Sequence, residues 1–487
     1  MGLNYKRLGS SLKLKTIRRR TKIVCTIGPA TSSPGRIREL IEAGMDVARL
    51  NFSHGDHETH RAFIQTLRRL SKEAGKEVGI LQDLGGPKIR IGRLPVSERV
   101  LQSNHTILLS PYESSNSDIV PIRYPNLLED VSVGDRILIA DGTIELVVEG
   151  KNSDHLVARV LVGGVIQSNK GVNLPSSSLR IPAFTQKDQA DLALGLKEHV
   201  DFVALSFVRH EQDLEPVRNI LDQQEYRPLL IAKIEKPQAV DRLDSILDRV
   251  DGVMVARGDL GVEMPLEEVP MIQKRVIHAV RKMGKPVITA TQMLRSMVEN
   301  PRPTRAEATD VANAILDGTD ALMLSDETAV GRFPKEAVQV LDRIARATEP
   351  AIEARTYLEE PVADILPPTA AAISRAACWL ASDLKAAAVV AFTFSGSTAR
   401  LVARFRSSFP TVALTHSLLT QRQLTLSWGV FPVLANALED TDHLFSIARS
   451  WILNSGIART EDRVILTAGI PVGVPGKTNL LKVIELQ

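Results

Sequence analysis

LLIAKIEKPQAVDRLDSILDRVDGVMVARGDLG, residues 229–261, decides the fold. It opens on an apolar run that breaks into a lysine and a glutamate (KIEK, 233–236). It passes through a helix-period segment and returns to a second apolar run that breaks into ARGDLG (256–261). Each run is too short for a helix and rich in Val, Ile and Leu, as suits a strand buried on both faces. Six further runs have the same texture: KIVCTIG (22–28), MDVARLNFS (45–53), VGILQDL (78–84), VDFVALSFV (200–208), KPVITAT (285–291) and TDALMLSDE (319–327). Eight such strands separated by helical segments predict a (β/α)8 barrel, in which the active site is built where the strands end. Those ends carry Arg49, Asn51, Ser53, Asp83, Lys233, Glu235, Asp259, Thr291, Ser325 and Glu327. A ring of cations, carboxylates and hydroxyls points to chemistry on an anionic, metal-bound substrate. A weak internal repeat supports the barrel: GMDVARLN, HVDFVALSF, RVDGVMVAR and GTDALMLS each place Asp just before a strand.

Working outward, the barrel is expected over 22–92 and 183–352, interrupted by an insert of different texture at 93–182. There, short alternating runs (TILLS, RILIADGTIELVVEG, HLVARVLVGGVIQ) with VGD and ADG turn signals predict an antiparallel β domain. Thr185 is placed to cap the helix that follows. Residues 353–369, rich in Pro and Glu, read as a linker. Alternating strands and helices over 370–487 predict a doubly wound α/β domain.

A chain of 487 residues supports two to four domains. A net charge of +3 gives no argument for nucleic acid, and no apolar run reaches the ~18–20 residues of a membrane span. The two cysteines, Cys25 and Cys378, lie in apolar segments and read as buried thiols. Residues 1–21 are basic and lack acids, which suggests a solvated tail, with an organellar transit peptide as the alternative. Lys6 stands where myristoylation needs Ser or Thr. The expected location is the cytoplasm.

Each motif has a bland reading beside the chemical one. Lys233 and Glu235 share a strand face, as a structural ion pair or as working groups. Glu235 and Asp259 form a credible pair for a hard cation, since Mg2+ takes a few carboxylates plus substrate oxygens. Thr291 and Ser325 are caps or substrate-positioning and proton-relay hydroxyls. Arg49, Asn51 and Ser53 lie on one face, and Arg suits phosphate. His54, a lone histidine, reads first as structural. SGST (395–398) is a capped turn or a phosphate nest. GVPGKT (473–478) fails as a P-loop, because Pro471 stands where Gly is required.

In order along the chain, KIVCTIGPAT, AGMDVARLNFSHG, GPKIR, KGVNLP, KIEKPQAV, DGVMVARGDLGVE, TATQML, NPRPTRAEATDVANAILDGTDALMLSDETAVGRFP and GKTNLLKV resemble pyruvate kinase. The resemblance implies a barrel, an inserted β lid and a C-terminal α/β domain in a homotetramer that transfers phosphoryl from phosphoenolpyruvate to ADP with Mg2+ or Mn2+. It implies that Lys233 neutralises the transferring group and that Glu235 and Asp259 hold the metal. Backbone groups of Ala256, Arg257, Gly258 and Asp259, with Thr291, would bind the substrate carboxylate. Arg49 and Arg90 would contact phosphates, Asn51, His54, Asp141 and Lys170 would serve the nucleotide side, and Thr291 and Ser325 would lie on a proton path. A sugar phosphate or nucleotide effector is expected at Thr393, Ser395, Gly396, Ser397 and Thr398. Where the family commonly has DTKGPEIRTG, this chain has DLGGPKIRIG (83–92), which touches the monovalent-cation site of Asn51, Ser53, Asp83 and Leu84. Lys88 replaces Glu there, so the chain resembles the bacterial-type, K+-independent members, with Asp83 as a possible partner for Lys88. MLSDET carries Asp326, and Arg295 follows TQML. Two rival readings are a Schiff-base or Mg-dependent lyase using Lys233, and a non-catalytic effector-binding regulator. The second is expected to lose Lys233, Glu235 or Asp259, which are all present.

Overall fold

A computed structural model describes residues 19–177, 179–360, 366–435, 441–470 and 477–487. The eight short runs form eight parallel strands: Lys22–Thr26, Val47–Asn51, Gly79–Asp83, Phe202–Leu205, Leu229–Ile234, Gly252–Ala256, Val287–Ala290 and Ala321–Leu324. They close into a barrel, the first strand pairing with both the second and the eighth. Each is buried along nearly its whole length, which accounts for their Val/Ile/Leu texture. Alternation divides them. Val24, Val47, Leu81, Phe202, Ile231, Met254, Ile288 and Met323 pack together as an inner core. Ile23, Ile80, Leu230, Val253 and Leu322 face the helices.

The repeated Asp has a structural cause. Asp46, Asp201, Asp251 and Asp320 precede the even-numbered strands. Each accepts a hydrogen bond from a backbone N–H at the start of the preceding strand: Ile23 (2.9 Å), Ile80 (2.7 Å), Leu230 (2.8 Å) and Val287 (3.1 Å). Each also meets an arginine, respectively Arg19, Arg68, Arg227 and Arg406, at 2.8–2.9 Å. Four carboxylates thus cap the barrel's lower rim, where strand N–H groups would otherwise be orphaned.

The insert forms a mixed six-stranded sheet and a two-stranded one, with one parallel pair (Thr106–Ser110 with Ile119–Pro121) among the antiparallel ones. Its core includes Ile89, Ile91, Leu174, Leu179 and Ile181. Ile89 and Ile91, assigned from sequence to the barrel side of the boundary, therefore pack with the lid. Thr185 caps the helix Gln186–Lys197 in a reciprocal box with Asp188.

The C-terminal sheet is ordered Val430–Leu434, Thr411–Thr415, Ala388–Phe392, Arg463–Ala468, Leu480–Glu485, parallel except for the last strand. The expected linker is partly helical, as Ala354–Glu359 and the start of Pro368–Asp383; residues 361–365 lie outside the described residues. This domain plugs the barrel's lower mouth. Leu426 joins the inner core, and a Cβ on Gly79 would meet Thr425 Oγ1 at 2.6 Å. The expected basic tail ends earlier than 21. Arg19 bonds Asp46 and Asp342, and Arg20 and Thr21 donate to Glu349. Residues 1–18 and 471–476 of the tail and of the rejected P-loop segment are outside the described residues. No helix among the described residues is long and apolar enough to cross a membrane.

Candidate active site

Strand alternation carries the inner-core face upward into polar groups. Leu81 is followed on its face by Asp83, Ala204 by Ser206, Ile231 by Lys233 and Glu235, and Met323 by Ser325. Lys233 is 8% exposed and Glu235 1%. The Lys233 ammonium lies 2.8 Å from Glu235, 3.4 Å from Asp83, and donates to Ser206 Oγ at 2.8 Å. Burial opposes its charge, yet Asp83, Glu235 and Asp259 more than offset burial and hold its pKa above the ordinary lysine value. Arg49 pairs with Asp83 at 2.6 Å and donates to Thr26 at 3.0 Å. Burial would raise the Asp83 pKa; Lys233 and Arg49 outweigh it and bring it below the usual carboxylate range.

Glu235 differs. Burial pushes its pKa up, and the neighbouring Asp259 pushes the same way against Lys233. Its Oε2 accepts from the Phe207 N–H at 2.8 Å. Asp259, half-buried in the first turn of Arg257–Glu263, has no hydrogen bond or ion pair to its carboxylate among the described residues. Two crowded carboxylates, one buried and one without a donor, fit a divalent cation. No cluster of three or more His, Cys, Asp or Glu suited to a metal occurs among the described residues.

Thr291 ends the seventh strand at φ +70°, an uncommon conformation for a β-branched residue. Its hydroxyl accepts from the Gly258 N–H and donates to the Ala290 carbonyl, both at 2.6 Å. The turn Ala256–Asp259 is thereby tied to the next strand. The Arg257 side chain turns away, to Asp310 and the Thr291 carbonyl, which leaves its backbone as the group available there. Ser325 Oγ is buried and has no hydrogen-bond partner among the described residues. Glu327, also read as a strand-end group, accepts from the Leu294 and Ser325 N–H groups and braces the loop.

A cleft of about 610 Å³ separates this floor from the lid. His54, Lys88, Arg90, Asp141, Lys170 and Asp259 all line it, so lid and barrel candidates separated by up to 205 positions converge. Burial, with Lys88, Arg90 and Arg49, lowers the His54 pKa. Asp141 sits at φ +55° in the turn before the strand Ile144–Lys151. Asn51 Oδ1 holds the Ser53 N–H at 3.1 Å, and Ser53 Oγ would lie 2.9 Å from a Cβ on Gly85.

One expectation about the cation pocket is corrected. Asp83 does not pair with Lys88, because Arg49 and Lys233 already hold it. Leu84 belongs to the outer core, so only its carbonyl faces inward, accepting from Ser206 at 2.7 Å. Ile91 is in the lid core, away from the pocket. Lys88 makes no ion pair within 4 Å among the described residues. Lys88 is exposed on the cleft wall; partial desolvation of its ammonium there, then Arg90 and Lys233, lower its pKa against the pull of Asp83 and Asp259.

The effector turn is less open than its residues suggest. Gly396 is left-handed (φ +82°) before the seven-residue helix Ser397–Ala403. Ser395 and Ser397 hydroxyls face each other at 3.2 Å, but Thr398 bonds Thr478 at 2.7 Å and Thr393 is buried. Position 394 is an exposed Phe.

The sequence reading missed Ser206 and Phe207, although the same strand-end rule points to them. It also missed Lys236, Asn173 and Glu263, which link lid to barrel: Glu263 accepts from Asn173 at 2.8 Å and from Lys236 at 2.6 Å. That contact spans 90 positions and leaves no local signal.

The family model described as "Pyruvate kinase, barrel domain" matches residues 18–338, and "Pyruvate kinase, alpha/beta domain" matches residues 371–484. The chain is 46% identical over 469 residues to a pyruvate kinase of Sporosarcina psychrophila, covering 96% of this chain and 80% of that one. It is 45% identical over 466 residues to a pyruvate kinase of Mycobacterium intracellulare (96% and 98%) and 47% identical over 471 residues to pyruvate kinase 2 of Synechocystis sp. (96% and 79%).

Proposed function

The chain belongs to the pyruvate kinase family, and from that premise we propose that it is a K+-independent, effector-activated member whose phosphoryl transfer rests on Lys233. As a pyruvate kinase it binds phosphoenolpyruvate and ADP, and the reaction yields pyruvate and ATP with uptake of one proton. The P–O bond to the enol oxygen breaks, a P–O bond to the ADP β-phosphate forms, and the enolate carbon takes a proton. No covalent enzyme intermediate is needed, so position and charge carry the rate.

Lys233 supplies a fixed cation where negative charge shifts between oxygens. Asp83, Glu235 and Ser206 hold it from three sides, which pre-organises it and keeps it protonated. The same protonation argues against the lyase reading, which needs a depressed lysine pKa. The N–H groups at the start of Arg257–Glu263 orient the substrate carboxylate. Arg49 and Arg90 take phosphate oxygens, and Asp141, Lys170 and His54 bound the nucleotide side of the cleft. Family members generally use Mg2+; Glu235 and Asp259 would hold it (or Mn2+), and it would supply Lewis-acid neutralisation of phosphoryl charge. The Thr291 proton is committed to the Ala290 carbonyl, whereas Ser325 Oγ is uncommitted and buried. Ser325 is therefore the hydroxyl assigned to the proton path toward the enolate.

The observation that carries K+ independence is the Lys88 ammonium, lining the cleft without a carboxylate partner. Its charge interacts with Asp83 and Lys233, and a second monovalent cation beside Asp83 would be repelled by it. The test is turnover in buffer free of Na+ and K+, with an organic cation for ionic strength. Full activity is expected, and Lys88→Glu creates a K+ requirement. A tenfold rise on adding K+ to wild type would overturn the reading.

The effector in this proposal is a sugar phosphate or nucleotide whose phosphate meets Ser395, Ser397 and the adjoining N–H groups, and the assembly is a cytoplasmic homotetramer. Ser397→Glu abolishes activation by charge repulsion. Unchanged activation by a panel of sugar phosphates and nucleoside monophosphates moves the site elsewhere.

A further inference from the structure

Five buried polar atoms without a hydrogen-bond partner among the described residues belong to residues around one small cavity: Arg281 Nε, Arg400 Nη1, Arg404 Nε, Arg406 Nε and Ser427 Oγ. The cavity lies on the seam between the barrel's lower rim, which contributes Arg281 and Asp320, and the C-terminal domain, which contributes the other four residues. Arg281, Arg404, Arg406 and Ser427 are 3%, 5%, 2% and 1% exposed. Four of the five atoms are guanidinium nitrogens, which donate and never accept. Buried donors of this kind are satisfied in folded proteins, and a cluster of exceptions needs a cause.

Charge sharpens the argument. Arg281 pairs with Glu360 at 2.6 Å and Arg406 with Asp320 at 2.9 Å. Arg400 and Arg404 have no carboxylate within 4 Å among the described residues; their guanidiniums hydrogen-bond the Ser395 and Lys282 carbonyls, and that of Arg404 also lies 4.5 Å from the centre of the Phe405 ring. Lys285, also on the cavity, reaches the Leu247 carbonyl. Five cations thus surround one lining carboxylate, Asp320. Burial, with Arg375 and Arg281, pulls the Arg404 pKa down to about 10. Water offers at most two acceptor positions and no charge. An anion accepts from several donors at once and offsets the surplus.

We infer that this seam cavity binds a halide-class anion, which the seam widens slightly to admit, held jointly by Arg281, Arg404, Arg406 and Ser427. The space accommodates about one water-sized particle. A tetrahedral oxyanion requires the seam to open. The inference stands apart from the catalytic and K+ readings, since none of its residues lies in the cleft.

The test uses the full chain, exchanged into gluconate at fixed ionic strength and titrated separately with chloride, bromide and phosphate while the melting temperature is recorded. Wild type shows a saturable rise of ~2–5 °C with either halide. Arg404→Gln shows a flat response and, without halide, melts no lower than wild type, because an unbalanced buried charge has been removed. A crystal of wild type soaked in bromide gives an anomalous peak among the four arginines, a result independent of how the variant folds. Absence of a saturable halide response, an equal response in wild type and Arg404→Gln, or bromide found only elsewhere overturns the inference. A response to phosphate with none to halide overturns the size assignment.

Discussion

Lys233 shows how a single residue acquires its role from its neighbours. In the sequence it is a cation two positions from a carboxylate. In the fold it is the common partner of Asp83, Glu235 and Ser206, which come from three strands. Lys233→Met is expected to lower kcat by ~100-fold or more, with KM for phosphoenolpyruvate changed far less. Steady-state kinetics alongside a thermal melt checks it, and a variant keeping a tenth of wild-type turnover removes Lys233 from the charge-stabilising role. Ser325→Ala is expected to slow proton delivery more than phosphoryl transfer. Its signature is a larger loss in pyruvate enolisation, read by exchange of the methyl hydrogens with solvent, than in ATP formation. Equal losses would return the proton to another group. Both residues lie on the inner-core parity of their strands, so their positions were legible from alternation. The orphan state of Ser325 and the commitment of Thr291 were not, since they depend on which loop closes over each hydroxyl.

At the scale of the element, the repeated Asp before even strands is the clearest link between sequence and stability. Each carboxylate joins the first turn of hydrogen bonding in one strand to an arginine from a different part of the chain. Asp46 has Arg19, Lys76 and Lys22 near it; burial works against its charge, but these cations prevail and hold its pKa well below the usual carboxylate range. A carboxylate depressed in the folded state binds fewer protons there than in the unfolded chain. Its stabilisation is therefore complete above pH ~4 and is lost as pH falls below that value. Asp46→Asn is expected to cost ~3–5 kcal/mol at pH 7, leaving buried cations unpaired, and to flatten the acid limb. Melting temperatures of both proteins from pH 3 to 7 test this; parallel curves would show that Asp46 does not set the limb. The cap at Thr185 is a smaller term. Thr185→Ala is expected to cost ~1 kcal/mol, measured as a lower melting temperature.

The whole molecule is three packed units, each with its own hydrophobic core, and the cleft exists only because the lid folds back over the barrel. Replacing residues 89–181, which carry the entire lid core, by a short linker is expected to leave the barrel folded and to nearly abolish ATP formation, because Arg90, Asp141 and Lys170 go with it. Pyruvate enolisation, which needs floor groups alone, is expected to fall far less; equal loss of both would contradict this division. The sequence by itself pointed to the barrel, since eight short apolar runs separated by helical segments match its repeat, and it determined the parity that aims Lys233, Glu235, Asp83 and Ser325 at one mouth. It also marked the capping Asp residues, because a repeated unit leaves a repeated letter. The tertiary structure alone decided what depends on distant chain segments meeting. It assigned Asp83 to Arg49 and Lys233 instead of Lys88, moved Ile89 and Ile91 into the lid, and set Glu263 against Asn173. It also gathered four arginines at the domain seam from positions 281 to 406. Local pattern fixes which face of an element a side chain takes, through the periods of strand and helix. Which partner waits there is set by packing between elements, and short-range periodicity carries no record of it.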